Sequence, residues 1–238
     1  MLARHATRTP SRTFSTKKLP KLIELKSKIT KSPTLSERDF QAIKNWATTI
    51  DITGHRSLTP KGRDEMKGLA IRVREAFPNL FERQYDPDVY KVLSTKSERC
   101  VISGKVFMEN VLNDEAIPEL PICDNTDILL TLEGMMKDDE EYDDVQAYIK
   151  DQEKEFKGGP HMAGVVQRVA AKLGIDSEEL NPEIITTMYE ASAYEYSNDE
   201  SVVPAWYNVF CPDDLEVSKY SRQVIVMNRK HLLILIRL

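Results

Sequence analysis

The 238-residue sequence lacks the features of disulfide-rich, zinc-binding and membrane-spanning proteins. Its three cysteines include no C-x-x-C pair, which excludes a cysteine-rich zinc site and allows one disulfide plus a free thiol. The sequence has no N-x-S/T glycosylation signal, no internal repeat and no apolar run near the ~18 residues that span a bilayer. The 41% hydrophobic and 30% charged residues are ordinary for a globular chain of one or two domains.

The charge is unevenly distributed along the chain. A net charge of −5 argues against binding nucleic acid through bulk electrostatics. Residues 1–30 nevertheless carry eight Lys or Arg and a single acid, Glu24, whereas residues 131–160 carry ten acids and four lysines. A basic end on an acidic protein indicates an anionic ligand there. Two alternatives remain open: a solvated basic tail, and a mitochondrial transit peptide on a helical interaction protein.

Local signals predict a helix, a strand and a second helix in the first half. Thr59 is a predicted N-cap before Pro60 at the first helical position, and the following apolar spacing predicts a helix that Pro78 ends. Residues 88–95 are rich in Val, Tyr and Leu and predict a short buried strand. A helix is expected directly after that strand, with Cys100 on its apolar face.

From about residue 115 onward the pattern becomes helical. Pro160 opens a predicted amphipathic helix that ends at Gly174. Pro182 opens another predicted helix, and Asp213 or Asp214 a further one. The second half is therefore expected to contain helices without strands.

These patterns predict three ranges in an α/β protein. Residues 1–113 are predicted to be the N-terminal part of an α/β domain, in which ligands sit where strands end. Residues 114–224 are predicted to be an all-helical subdomain. Residues 225–238 fit neither pattern and are predicted to be an atypical tail.

The most informative segment chemically is Arg4-His5-Ala6-Thr7-Arg8-Thr9-Pro10. Two adjacent cations lower the pKa of an imidazole and favour its neutral, nucleophilic form. The same guanidinium groups suit bidentate binding of phosphate oxygens. The pattern therefore predicts a nucleophile inside an anion-binding pocket.

Several landmarks in sequence order resemble the histidine acid phosphatases. The first segment resembles the R-H-G-x-R-x-P signature, Leu58–Gly62 resembles L-T-x-x-G, and Ser97–Cys100 resembles the place of a third phosphate-binding arginine. Three later segments resemble one branch, the multiple inositol polyphosphate phosphatases. They are Gly159–Met162, Val169–Leu173 and Pro204–Phe210.

The resemblance implies an activity and roles for individual residues. His5 matches the nucleophile that carries a phosphohistidine intermediate, and Arg4, Arg8 and Arg99 match the arginines that hold the phosphoryl group. It implies a Rossmann-like sheet of the phosphoglycerate-mutase type with an inserted helical subdomain. The implied substrates are phytate and other inositol polyphosphates (InsP5 and InsP4), with 2,3-bisphosphoglycerate as a further candidate. It implies no cofactor, a small-molecule partner rather than nucleic acid, and a destination in the secretory pathway.

The sequence also departs from the family pattern. Ala6 replaces the usual glycine, which we expect to be tolerated because alanine adds only a methyl group. The late His-Ala-Glu segment of the family, which supplies a second histidine and the proton donor, is not found. The proton donor is therefore unknown, and we expect an incomplete copy of the family's fold. A truncated, catalytically impaired phosphate-binding relative is the alternative function.

No metal cluster is expected from the other histidines. His55, His161 and His231 are isolated and lack the spacing of metal ligands. We expect His55 and His161 to be surface or packing residues.

Overall fold

The chain forms two compact units. A computed structural model describes residues 3–115, 117–120 and 140–221. Unit 1 comprises residues 1–10 and 51–135, and unit 2 comprises residues 11–50 and 136–238. The helices are α1 (Leu19–Lys28), α2 (Glu37–Lys44), α3 (Pro60–Ala76), α4 (Glu98–Val111), α5 (Glu140–Gly158), α6 (Pro160–Leu173), α7 (Pro182–Asn198) and α8 (212–221). A π-helical stretch, Phe14–Lys18, leads into α1, and 3-10 turns lie at Pro78–Leu80, Ser177–Glu179 and Tyr207–Val209.

Unit 2 includes residues 11–50, which the sequence patterns place in the predicted α/β part of the chain. Residues 11–50 lie with the helical part of the chain, whereas they fall within the predicted range 1–113. The predicted domain ranges themselves stay predictions, and the predicted tail, 225–238, lies outside the described residues. In the part of the chain that the structure describes, no helix is both long and apolar enough to cross a membrane.

Capping residues start and end the predicted helices as expected. The side chain of Thr59 accepts the N–H of the third residue of α3, and Pro60 occupies the first helical position. The side chain of Asn181 does the same for α7, which begins at Pro182. Gly174 ends α6 with a φ of 65°, in the left-handed region that favours glycine. These predictions are confirmed, as is the second helix of the first half, α4.

The strand predicted at residues 88–95 does not form. Asp86 accepts the N–H of Asp88 on its side chain at 2.8 Å, and its carbonyl accepts the N–H of Tyr90 at 2.8 Å. The start of the segment therefore forms a turn instead of an extended strand, because aspartate side chains compete for backbone donors. The segment is only half-buried: Val89 and Leu93 are 48% and 45% exposed, whereas Tyr90 and Val92 pack against the core of unit 1.

The predicted Rossmann-like sheet is therefore not confirmed by the described residues. In residues 3–115, 117–120 and 140–221, β-bridges occur singly, at Arg8, Leu58 and Ser94, without continuous strands. Helices α3 and α4 instead pack against each other in unit 1. Their small apolar core buries Ala70, Met108 and Val111.

Two tryptophans mark the core of unit 2. The rings of Trp46 and Trp206 meet edge to face with centroids 5.5 Å apart, an arrangement that aromatic pairs favour. The buried carboxylate of Glu195 on α7 accepts the indole N–H of Trp46 at 2.8 Å. Burial raises the pKa of Glu195 above its usual value, although the hydrogen bond from Trp46 opposes that effect.

Residues 11–30 of the basic N-terminal segment belong to unit 2, whereas residues 1–10 belong to unit 1. Phe14, Leu19, Leu22 and Leu25 are all buried in unit 2. Three of its lysines pair with acids of α7 or of the 3-10 turn before it. The pairs are Lys18–Glu190 at 3.1 Å, Lys21–Glu183 at 3.1 Å and Lys28–Glu179 at 2.9 Å. Residues 14–28 are thus packed helix rather than a solvated tail, and these lysines neutralise acids of their own unit.

Helix α8 is tied to α6 by a buried carboxylate. It begins at residue 212, just before the predicted start. Asp214 is fully buried and accepts hydrogen bonds from the backbone N–H of Cys211 at 2.9 Å and from Arg168 Nε at 2.8 Å. Burial alone would raise the pKa of Asp214, but these hydrogen bonds and the Arg168 charge lower it below its usual value. Val224, predicted on the apolar face of this helix, lies outside the described residues.

Candidate functional site

The site is built on residues 7–10, which run antiparallel to residues 56–59 in unit 1. The N–H of Thr9 donates to the carbonyl of Ser57 at 2.9 Å, and the N–H of Thr59 donates to the carbonyl of Thr7 at 3.1 Å. Arg56 extends the pairing by donating to the carbonyl of Pro10 at 3.0 Å. The signature segment is therefore held by the residues that lead directly into α3.

Gly62 allows α3 to approach this segment closely. A Cβ atom built on Gly62 would lie well inside van der Waals contact with the carbonyl oxygen of Thr7 and 2.9 Å from Leu58 Cδ1. Any larger residue must displace backbone rather than a flexible side chain. The glycine of the L-T-x-x-G landmark thus has a packing role that is visible only in the folded chain.

Two helices hold successive backbone N–H groups after His5. The carboxylate of Glu65 on α3 accepts the backbone N–H of Thr7 at 2.9 Å and its hydroxyl at 2.8 Å. The hydroxyl of Ser103, buried on α4, accepts the N–H of Ala6 at 3.4 Å. Helices α3 and α4 therefore fix the backbone between the histidine and Arg8.

Alanine is tolerated at the position where the family has glycine. Ala6 does not adopt a positive φ, so its backbone conformation is open to any residue. Its carbonyl accepts a hydrogen bond from the adjacent imidazole. The expected tolerance of Ala6 has a conformational basis.

The ring of His5 is half-buried and held in one orientation. Its Nδ1 lies 2.8 Å from the carbonyl oxygen of Ala6, and a carbonyl only accepts, so Nδ1 carries the proton. In the neutral ring the lone pair is then on Nε2. Nε2 is therefore the atom that could attack an electrophile.

The surroundings of His5 favour its neutral form. Burial is the largest cause that lowers the pKa of His5 below its usual value, and the charges of Arg99, Arg4 and Arg8 lower it further. The hydrogen bond to Ala6 opposes them. The four residues singled out by the sequence thus lie close enough to interact electrostatically, while their roles stay predictions.

The three arginines differ in their contacts. Arg99 lies in the first turn of α4, and its Nε is buried with no hydrogen-bond partner among the described residues. A buried guanidinium nitrogen without an acceptor is costly, and an anion would satisfy it. Arg8 donates from Nη1 to the carbonyl of Thr9 at 2.8 Å, and Arg4 is exposed.

The remaining histidines were considered in the sequence as possible metal ligands. His55 and His161 are exposed, as expected for surface residues, and His231 lies outside the described residues. Within the described ranges, no group of three or more His, Cys, Asp or Glu side chains could hold a metal ion.

The sequence patterns did not assign Glu65 or Ser103 to the site, although they placed Ser103 on the same face of its predicted helix as Cys100. Each contacts the signature segment from a helix that lies far along the chain: the Thr7–Glu65 pair is separated by 58 residues and the Ala6–Ser103 pair by 97. Glu65 lies three residues after the landmark glycine, and a polar residue there on the buried side of α3 was the available signal.

Comparison with known proteins identifies the family of the chain. A sequence model of the histidine phosphatase superfamily (branch 2) matches residues 1–226. The chain belongs to this superfamily. Its members have an α/β fold in general, so the α/β class is supported at the family level, while the sheet is not confirmed in the part that the structure describes. The family predicted from the short motifs is thereby confirmed.

The superfamily relatives include multiple inositol polyphosphate phosphatase 1 from three animals. The Gallus gallus protein is 27% identical over 224 residues, covering 91% of this chain and 47% of the relative. The Homo sapiens protein is 27% identical over 240 residues, covering 92% and 47%. The Drosophila melanogaster protein is 24% identical over 232 residues, covering 91% and 48%. The chain thus spans about half the length of the curated relatives it matches.

Proposed function

We propose that this chain is a phosphomonoesterase of inositol polyphosphates that uses His5 as its nucleophile. One observation carries the proposal. The proton of the His5 ring is held on Nδ1 by Ala6, which leaves the Nε2 lone pair available. Arg99, whose charge acts on His5, has a buried Nε with no partner among the described residues. A phosphoryl group bound there would satisfy Arg99 and meet the nucleophile.

The chemistry follows the charge distribution of phosphoryl transfer. The Nε2 lone pair of His5 forms a bond to phosphorus, the bond from phosphorus to the inositol oxygen breaks, and that oxygen leaves with the electron pair and takes a proton. Water then cleaves the N–P bond, releases inorganic phosphate and restores the imidazole. Arg4, Arg8 and Arg99 stabilise charge on the equatorial oxygens, and such fixed cations supply much of the catalysis in this reaction class. The residue that protonates the leaving oxygen is unassigned.

The substrate class rests on the names of the relatives. All three are multiple inositol polyphosphate phosphatases, and a cluster of guanidinium groups suits a polyanion. We propose phytate, InsP5 and InsP4 as substrates and 2,3-bisphosphoglycerate as a further candidate. A destination in the secretory pathway is part of the same proposal.

Phosphate release from phytate tests the proposal. We expect His5→Ala to lower kcat by about 10³-fold or more, because no other group replaces the nucleophile. His55→Ala, an exposed histidine of the same unit, serves as the matched control and should keep wild-type release. Intact-mass analysis should detect one added phosphoryl group on the wild-type chain and none on His5→Ala. Equal, near-zero release from wild type and His5→Ala would refute turnover and favour the impaired phosphate-binding relative.

A further inference from the structure

Every polar group of Thr7 is bound by α3 or by the residue that caps it. Its N–H and hydroxyl both donate to the Glu65 carboxylate, at 2.9 and 2.8 Å. Its carbonyl accepts the N–H and the hydroxyl of Thr59, each at 3.1 Å. Thr7 lies two residues after His5 and immediately before Arg8. Its position therefore limits where both of those side chains can lie.

The contact with Glu65 is bidentate and reaches two different kinds of atom. One carboxylate oxygen fixes the backbone N–H and the other fixes the side-chain hydroxyl, so the peptide plane and the rotamer of Thr7 are set together. Hydrogen bonds to a carboxylate are stronger and shorter than neutral ones. The close approach over Gly62 leaves no room for the peptide of Thr7 to move toward the helix.

From these contacts we infer that Glu65 is a positioning residue, which acts through Thr7 to hold His5 and Arg8 in register for phosphoryl transfer. The inference rests on the proposed function and adds a residue to its site. In-line transfer depends on alignment, and a misplacement of about 1 Å can cost about 10²-fold in rate. Among the described residues, the hydrogen bonds of Glu65 go to Thr7 rather than to the nucleophile or the arginines.

Three substitutions separate the reach of Glu65 from its charge. Glu65→Gln removes the charge but keeps both contacts, since its amide oxygen accepts the N–H of Thr7 and its NH₂ donates to the hydroxyl. Glu65→Asp keeps the charge but is shorter by one carbon–carbon bond, about 1.5 Å, so it cannot hold both atoms. Glu65→Ala loses both contacts. Asp64→Ala, an exposed neighbour on α3, is the matched control.

We expect kcat/KM for phytate to fall about 10- to 100-fold in Glu65→Ala and Glu65→Asp. Glu65→Gln and Asp64→Ala should stay within about threefold of wild type. The acid limb of the pH profile should not move in Glu65→Gln, because a positioning residue acts through geometry rather than charge. A carboxylate acting as a proton donor would instead lose activity on conversion to glutamine.

A titration with inorganic phosphate gives a readout that does not need turnover. The ring-proton resonance of His5 should shift when phosphate binds. The dissociation constant for phosphate should be about tenfold larger in Glu65→Asp and unchanged in Glu65→Gln. If Glu65→Ala does not fold, the comparison of glutamine with aspartate still decides.

Wild-type behaviour in Glu65→Asp, or an equal loss in Glu65→Gln, overturns the positioning role. If the wild-type chain shifts with phosphate but releases none from phytate, the proposed function fails while the phosphate comparison still tests Glu65. If the wild-type chain shows no phosphate shift at His5, both fail.

Discussion

Replacing Gly62 with alanine tests whether the close approach of α3 to the signature segment is required. Gly62 is a helical residue, and alanine in place of a helical glycine ordinarily stabilises by about 1 kcal/mol. Here the added Cβ would overlap the carbonyl oxygen of Thr7 and lie 2.9 Å from Leu58 Cδ1. Relieving the overlap requires the carbonyl of Thr7 to move by about 1 Å.

Such a movement weakens two hydrogen bonds and strains the packing. The two bonds from Thr59 to the carbonyl of Thr7 contribute about 1 kcal/mol each. Forcing an extra methyl group into a packed contact costs about 1–3 kcal/mol. After the gain in helix propensity, we expect Gly62→Ala to lower the free energy of unfolding by about 2–4 kcal/mol.

Gly68 in the same helix provides the control. The nearest atom to a Cβ built there is Arg72 Nη1 at 3.2 Å, the far end of a flexible side chain. Gly68→Ala should therefore stabilise by about 1 kcal/mol. Urea unfolding followed by far-UV circular dichroism measures both changes. Trp46 and Trp206 both lie in unit 2, so their fluorescence reports that unit and should change less. If Gly62→Ala proved as stable as Gly68→Ala, the packing role of this glycine would be wrong.

Two further predictions concern ionisation. Burial and three arginines lower the pKa of His5, so the imidazole stays neutral at pH values somewhat below the ordinary histidine pKa of 6.5. The acid limb of the pH profile of kcat/KM should therefore lie below pH 6.5. An acid limb above that pH would contradict a mechanism with a neutral imidazole. Arg168→Ala should destabilise by about 2–3 kcal/mol at neutral pH, because the buried Asp214 carboxylate keeps the N–H of Cys211 but loses its cationic partner. The lowered pKa of Asp214 means that the pair stabilises above the carboxyl's ordinary pKa of 3.8 and loses this effect as pH falls, so the difference from wild type should shrink in acid. Urea midpoints measured from neutral to acid pH check this, and a difference that grows in acid would contradict it.

Short-range signals predicted the helices correctly where the deciding contacts are local. Thr59 and Asn181 cap helices through N–H groups three residues away, and Gly174 ends α6 through its own backbone angle. The sequence therefore contains all the interacting partners within one helical turn. The motif that places His5 between Arg4 and Arg8 was equally local, and together with the later landmarks it indicated the family.

The predicted strand at residues 88–95 shows where local patterns fail. Its apolar residues match a strand, but a strand requires a partner, and the aspartates at its start offered the backbone a turn instead. The basic character of the first 30 residues was also ambiguous. Three of its lysines pair with acids more than 150 residues away, and no composition argument could identify those partners.

The sequence by itself determined the starts of α3 and α7, the end of α6 and the imidazole between two cations, because each depends on neighbouring residues. It also determined the family, through several short motifs that occur in a fixed order along the chain. Only the tertiary structure places Arg99 where its charge acts on His5 and packs Gly62 against the carbonyl of Thr7. It also places Glu65 within hydrogen-bonding distance of Thr7. The physical reason is that a glycine carries no side chain to signal a close contact. A carboxylate on a helix resembles any solvated one until the chain has brought a donor within hydrogen-bonding distance.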